Sequence, residues 1–239
     1  MTTLTADDIK AAKARGFLRN RGTELFSGRI VSPGGVYTPE QLEAIANCAC
    51  SFGNGKVAFT TRLSAEIVGI PFEKIGDAVA YIEKHGSGIG FGGTGARVRP
   101  ITACKGTTCV FGCCDTQMIA AELHERYYLG ALGENLPHKF KIAVGGCPNS
   151  CVKPSLNDVG IEARRQKDGG PLFQLFFGGT WGRTTRNGTP FSRLVAREEL
   201  EEIIDGVLSW FRENGNQKER LGAAIDRLGM DSLEAALAK

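Results

Sequence analysis

Up to about His85, the apolar positions switch between strand-like alternation and helical spacing, and each switch falls at turn residues. Residues 1–16 carry the spacing of a short amphipathic helix. Residues 24–31 alternate as a strand and run into the turn Ser32-Pro-Gly-Gly35. Thr38-Pro39-Glu40-Gln41 then announces a helix, with Thr at the N-cap, Pro at the first helical position and Gln at N3, and predicts helix to about Ser51. After Gly53-Asn-Gly55 come a strand over 56–62, a second near 64–70 and a helix over 71–85. This β-α-β-β-α order predicts half of a two-layer α+β sandwich. The Gly-rich stretch 86–98 reads as a connector and sets the expected division: a helical segment 1–21, a half-domain 22–86 and a larger domain 87–239. Beyond it the pattern predicts a helix over 116–129 and a strand over 139–144. A hairpin of 158–164 and 171–178 follows, then helices over 196–214 and 217–228.

Composition narrows the function classes. The chain has 239 residues, 42% hydrophobic and 23% charged, the balance of a soluble globular protein. A net charge of +3 is too small to suggest a nucleic-acid partner. The first residues lack a basic-then-apolar leader, and no later stretch is apolar for long enough to span a bilayer. The expectation is therefore a cytoplasmic protein without membrane contact. In a reducing compartment, the 8 cysteines argue for metal ligation or redox work rather than a disulfide framework.

Half of those cysteines form two pairs, Cys104-Lys-Gly-Thr-Thr-Cys109 and Cys147-Pro-Asn-Ser-Cys151. Four thiolates suit a soft metal centre, and one iron–sulfur cluster closed by both pairs is the leading reading. Zinc is the alternative, although zinc pairs more often have two residues between the cysteines. Pro148 is expected at the first position of a helix, aiming the amides of Asn149, Ser150 and Cys151 at the cluster sulfurs. Cys48, Cys50, Cys113 and Cys114 read as core or incidental thiols.

Cations gather around these motifs. On a strand, Phe140, Ile142 and Val144 face the core, and Lys139 and Lys141 share the other face. Two such ammonium groups need water or an anion between them; a solvated face and an anion site both fit. Arg29 lies in a strand, Arg62 ends one, and Arg97 and Arg99 close the connector just before Cys104. Each alone reads as a surface charge, but together they suit an oxyanion or carboxylates.

These residues together resemble the siroheme-dependent sulfite and nitrite reductases: the two cysteine pairs, Thr60-Thr61-Arg62, Arg29 ahead of Pro33-Gly-Gly35, and Leu136-Pro-His-Lys-Phe-Lys141. The resemblance covers about residues 22–230. It implies an α+β fold in which a ferredoxin-like half-domain packs on a siroheme/[4Fe–4S] domain. Cys104, Cys109, Cys147 and Cys151 would ligate the [4Fe–4S] cluster, with the Cys151 thiolate also bridging to the siroheme iron. Thr60, Thr61, Arg62, Arg97, Asn149 and Arg183 would bind the siroheme. Arg29, Arg99, Lys139 and Lys141 would hold the anion and supply protons as its oxygens leave as water.

Two departures qualify the likeness. The family usually has five residues between its first two cysteines and this chain has four, so Cys113 or Cys114 stands as an alternative to Cys104 or Cys109. Larger members carry two copies of the unit per chain and this chain carries one. The resemblance then implies a homodimer, with Arg29, Arg99, Lys139 and Lys141 serving the partner's siroheme. No dinucleotide fingerprint and no second cysteine set is present, so electrons would come from ferredoxin or a separate donor subunit. The implied reaction is six-electron reduction of sulfite to sulfide. The alternatives are nitrite reduction to ammonia, a non-catalytic iron–sulfur electron-transfer or sensor protein, and a siroheme protein acting on a tetrapyrrole intermediate.

Overall fold

Each of the first two helices begins where a threonine closes a capping box. Thr5 pairs with Asp8 ahead of α1 (Ala6–Ala14), and Thr38 with Gln41 ahead of α2 (Pro39–Phe52). The computed structural model describes residues 4–238, which divide into two compact units, one ending at Gly95 and the other starting at Ala96.

The first unit is an antiparallel sheet with helices. Strands β1 (Phe17–Arg19), β2 (Leu25–Val31), β3 (Val57–Phe59) and β4 (Ala65–Pro71) lie in the order β1-β2-β4-β3, and β5 (Gly90–Phe91) pairs with β2. Alternation on β2 buries Phe26 and Ile30 against α2 and α3 (Ile75–His85), where Ile45 and Ile82 are each 1% exposed. Arg29 stands on the opposite face, and β2 and β4 put it directly across from Glu66. Two strands were not apparent from the pattern. Phe17 docks β1 against Gly28, and Phe91 of the Gly-rich stretch pairs with Ile30. The segments expected to be an N-terminal helix and a connector therefore both add strands to this sheet.

The second unit holds a mixed sheet in the order β10-β9-β8-β7-β6, made of β6 (Thr102–Ala103), β7 (Ile142–Gly145), β8 (Val159–Arg164), β9 (Leu172–Phe177) and β10 (Thr189–Val195). The β6, β7 and β8 strands are parallel and the rest antiparallel. Helix α4 (Thr116–Leu123) continues as a π-helical turn over His124–Leu129, where one uninterrupted helix was expected. The chain closes with α5 (Leu200–Asn214), α6 (Leu221–Leu228) and α7 (Met230–Leu237). The ladder around Phe140 is shorter than its alternation suggests. Phe140 makes only an isolated parallel bridge with Val98, and the strand proper starts at Ile142. Phe140, Ile142 and Val144 are fully buried, and so is Ala143, so both faces of β7 are covered, with α4 and the turn at Pro154–Leu156 packed on the strand.

Candidate functional site

The parallel pairing of β6 with β7, Ala103 opposite Val144, sets the cysteines. Cys104 leaves the end of β6, and Cys147 follows β7 by two residues. The Gly146 N–H donates to the Cys104 Sγ at 3.2 Å, and the Thr116 hydroxyl donates to the Cys104 carbonyl at 2.7 Å. Between them the chain makes a tight loop: Cys109 N–H donates to Gly106 O at 3.0 Å, Gly112 N–H to Cys109 O at 2.9 Å, and Cys113 N–H to Gly146 O at 2.8 Å. Gly112 is required there, since a Cβ would lie 2.1 Å from the Gly106 oxygen.

The expected helix after Cys147 does not form. The segment is a chain of turns, with Ser150 (φ 55°) and Lys153 (φ 49°) in the left-handed region, which cannot propagate a right-handed helix. Pro148 and Asn149 are exposed on this turn. They line a recess of about 530 Å³ together with Cys113, Cys147, Val110, Phe111, Arg164 and Arg165.

All 8 cysteines are free thiols. Cys104, Cys109, Cys113, Cys114 and Cys147 are half-buried and Cys151 is exposed. The Cys114 thiol is pushed up to about 12 by burial, with Cys104, Cys113 and Asp115 adding to the effect. Cys48 lies in the first unit's core, also pushed up to about 12 by burial, and Cys50 is on the surface. Among the described residues, no three His, Cys, Asp or Glu side chains stand together as a site for one metal ion. The positive features fit a thiolate-ligated cluster: free, accessible thiols at two strand ends, a small-residue loop, and an amide already donating to sulfur.

A second group of residues forms around one carboxylate. Asp158, at the start of β8, is fully buried and accepts from Arg220 Nε at 3.2 Å and Nη2 at 2.7 Å. Its Oδ2 also accepts the Lys141 backbone N–H at 2.8 Å. Burial raises the Asp158 carboxyl above its usual range, and the Arg220 guanidinium and the amide pull it back. The bridge between Val98 and Phe140 brings the flanking Arg97 and Arg99 alongside Lys139 and Lys141, with the Arg99 N–H donating to Phe140 O at 2.7 Å. Burial, with repulsion from Arg220 and Arg99, lowers the Lys139 ammonium below its ordinary value. His138 is lowered likewise by burial and by Lys139, Arg220 and Arg99. Arg220 thus grips the buried Asp158 carboxylate, Lys139 and Lys141 lie within its electrostatic reach, and Arg99 stands beside Lys139.

The remaining expected site residues are more dispersed. Arg97 bonds Glu134 at 3.2 Å and the Tyr128 carbonyl, with its guanidinium 5.3 Å from the Tyr128 ring centre; its Nε is buried and unpartnered. Arg29, in the first unit, pairs with Glu66 at 3.5 Å and donates to Gly93 O at 3.3 Å, and its Nε is also buried without a partner. Thr60 is a turn-former, its hydroxyl accepting from the amides of Arg62 and Ser64 at 3.3 and 3.2 Å. Thr61 is exposed and Arg62 half-buried on that turn between β3 and β4. Arg183 is exposed in the loop after Thr180. Sequence reasoning missed Asp158, Arg220 and His138. Only His138 carried a signal, its place in the segment with the two lysines.

Two family profiles cover most of the chain: the nitrite/sulfite reductase ferredoxin-like half domain over residues 19–85, and the nitrite and sulphite reductase 4Fe-4S domain over residues 94–239. The chain belongs to the nitrite and sulphite reductase family. The cofactors of this family are a [4Fe–4S] cluster and siroheme. The relatives differ in length. The chain is 28% identical over 205 residues to a nitrite reductase [NAD(P)H] of Bacillus subtilis, covering 85% of the chain but 24% of that protein. It is 35% identical over 130 residues to a coenzyme F420-dependent sulfite reductase of Methanocaldococcus jannaschii, spanning 20% of it. Against the assimilatory-type sulfite reductase of Nitratidesulfovibrio vulgaris it is 24% identical, covering 86% of the chain and 89% of that protein. The crystal structure of dissimilatory sulfite reductase I shares the fold at a TM-score of 0.80 and 18% identity, over 90% of this chain and 69% of that one. The α+β reductase fold is shared down to that low identity. Among the described residues, no helix is long and apolar enough to cross a membrane.

Proposed function

We propose that this reductase reduces sulfite to sulfide in six one-electron steps, drawing electrons from ferredoxin or another external donor protein. Cys104, Cys109, Cys147 and Cys151 hold the [4Fe–4S] cluster. Thr60, Thr61, Arg62, Arg97, Asn149 and Arg183 hold siroheme carboxylates, and Arg29, Arg99, Lys139 and Lys141 bind the anion. The observation that carries the reading is the clustering of Arg99, Lys139 and Arg220 beside the segment that bears Lys141, with the buried Asp158 as the carboxylate that Arg220 grips. That excess of positive charge favours a doubly charged oxyanion. When bound, the cluster and siroheme would relay the donor's electrons and provide an iron for the substrate. The protein's own part is to neutralise the anion and to give up protons at its oxygens. Lys139, its ammonium held below the ordinary value, is suited to give up a proton, as is Lys141 beside it.

Sulfite is preferred because the chain matches nearly the whole length of an assimilatory-type sulfite reductase. Nitrite reduction to ammonia is the second reading, supported by 31% identity to the ferredoxin-dependent nitrite reductase of Haloferax mediterranei. An anaerobic optical titration of purified, siroheme-loaded protein separates them. Bands that shift at lower sulfite than nitrite concentrations, with sulfide as product, support the proposal; nitrite-selective shifts reverse it. A cluster spectrum with no siroheme bands would favour an electron-transfer protein instead.

A further inference from the structure

We propose that Arg220 is an additional substrate-binding cation of this pocket, and that Asp158 is the positioning residue that aims it. The inference rests on the proposed anion chemistry and extends it to a part of the chain that no motif marks. Arg220 lies in the turn between α5 and α6, and that turn is fastened to the lysine segment. The Lys218 N–H donates to Pro137 O at 2.9 Å, with Lys218 itself in the left-handed region (φ 68°). A Cβ on Gly215 would meet the Pro137 ring at 2.8 Å, so the approach of the two segments is close. Arg220 is therefore carried beside His138 and Lys139 by backbone contacts, independently of its own charge.

The guanidinium geometry points the same way. Asp158 engages Nε and Nη2, leaving Nη1 with no hydrogen-bond partner among the described residues. A guanidinium gripped on one edge presents its other edge in a fixed direction, which suits a planar or pyramidal oxyanion. The same carboxylate fixes Lys141 through its backbone amide. One buried group thus holds both the segment that bears Lys141 and the Arg220 guanidinium. A merely structural ion pair is the competing explanation, and it makes a different prediction about ligands.

The test uses the siroheme-loaded protein and two probes of the siroheme iron, sulfite and uncharged carbon monoxide, each titrated optically. Arg220→Lys keeps a charge but loses the fork; Asp158→Asn with Arg220→Gln keeps a hydrogen-bonded pair without charge and guards against a fold lost to an unpaired carboxylate. The double variant is expected to bind sulfite roughly tenfold to a hundredfold more weakly, as for loss of a charge-assisted hydrogen bond. Its carbon monoxide affinity and melting temperature stay near the parent values, and Arg220→Lys falls between. Sulfite affinity equal to the parent's in the double variant would overturn the assignment, as would an equal loss for both ligands. A parent protein that takes up no siroheme would instead overturn the underlying functional reading.

Discussion

Individual side chains divide into those whose chemistry shows in their type and those defined by what buries them. The cysteines are the first kind. If Cys109 rather than Cys113 is the second cluster ligand, Cys109→Ser should lose most of its iron on purification, whereas Cys113→Ser should keep it; iron and sulfide analysis of the two variants decides. His124 is the second kind. It is buried in the π-helical turn, stacked 4.6 Å from Tyr128, and its Nδ1 has no partner. Burial pushes its pKa from the ordinary 6.5 down to about 4. Between those values the unfolded chain holds a proton that the native state refuses. Stability should therefore be complete above 6.5 and fall as pH drops through the window, by at most about 3 kcal/mol. Denaturant melts of His124→Phe should show a flatter pH dependence over the same range; an unchanged slope would exclude His124 as its source. Lys141→Ala should lower kcat roughly a hundredfold to ten-thousandfold with cluster and siroheme retained, if it delivers protons. Turnover close to the parent's would remove it from the pocket.

At the level of elements, local signals carried well where they acted alone. The capping box at Thr38, the alternation of β2 and the apolar stripe of α5 all act within a few residues, and each produced the element it announced. What escaped depends on partners far along the chain. The strand β1 is three residues long and exists because Phe17 finds Gly28. The strand β10 is mostly exposed, with a register shift between Pro190 and Leu194, so it lacks clean alternation. The site divides in the same way: thiols and lysines are recognisable by spacing, but the bond between Asp158 and Arg220 joins the residue ahead of β8 to one in a late turn, and no local pattern encodes it. The cysteine loop is an element that a single methyl group can test. Gly112→Ala would push a carbon to 2.1 Å from Gly106 O, a clash whose relief costs about 1–3 kcal/mol or more. The expected result is a soluble protein deficient in iron; a normal cluster content would show that the loop adapts.

For the whole molecule, the half-domain profile matches residues 19–85 and the 4Fe-4S profile residues 94–239. Proteins such as the Bacillus subtilis nitrite reductase are far longer, with this chain spanning 24% of that sequence. We propose a homodimer, each copy lending Arg29, Arg99, Lys139 and Lys141 to the other's siroheme. Sedimentation of the active, siroheme-loaded protein should give twice the 25.6 kDa chain mass. A fully active species at the chain mass would refute exchange between copies.

The parallel seam between β6 and β7 also dictates an order of maturation. Its two strands lie on either side of the cysteine loop and α4, so a nascent chain presents two separate thiol pairs until that crossover closes. Pairing over such a sequence distance is among the slower folding events. Iron delivered before the seam has zipped meets two thiol pairs still separated along the chain, and iron delivered afterwards meets them at adjacent strand ends. The timing of metal supply relative to synthesis is therefore expected to affect the yield of iron-loaded protein: reconstitution after refolding should load more iron than the same iron present during refolding.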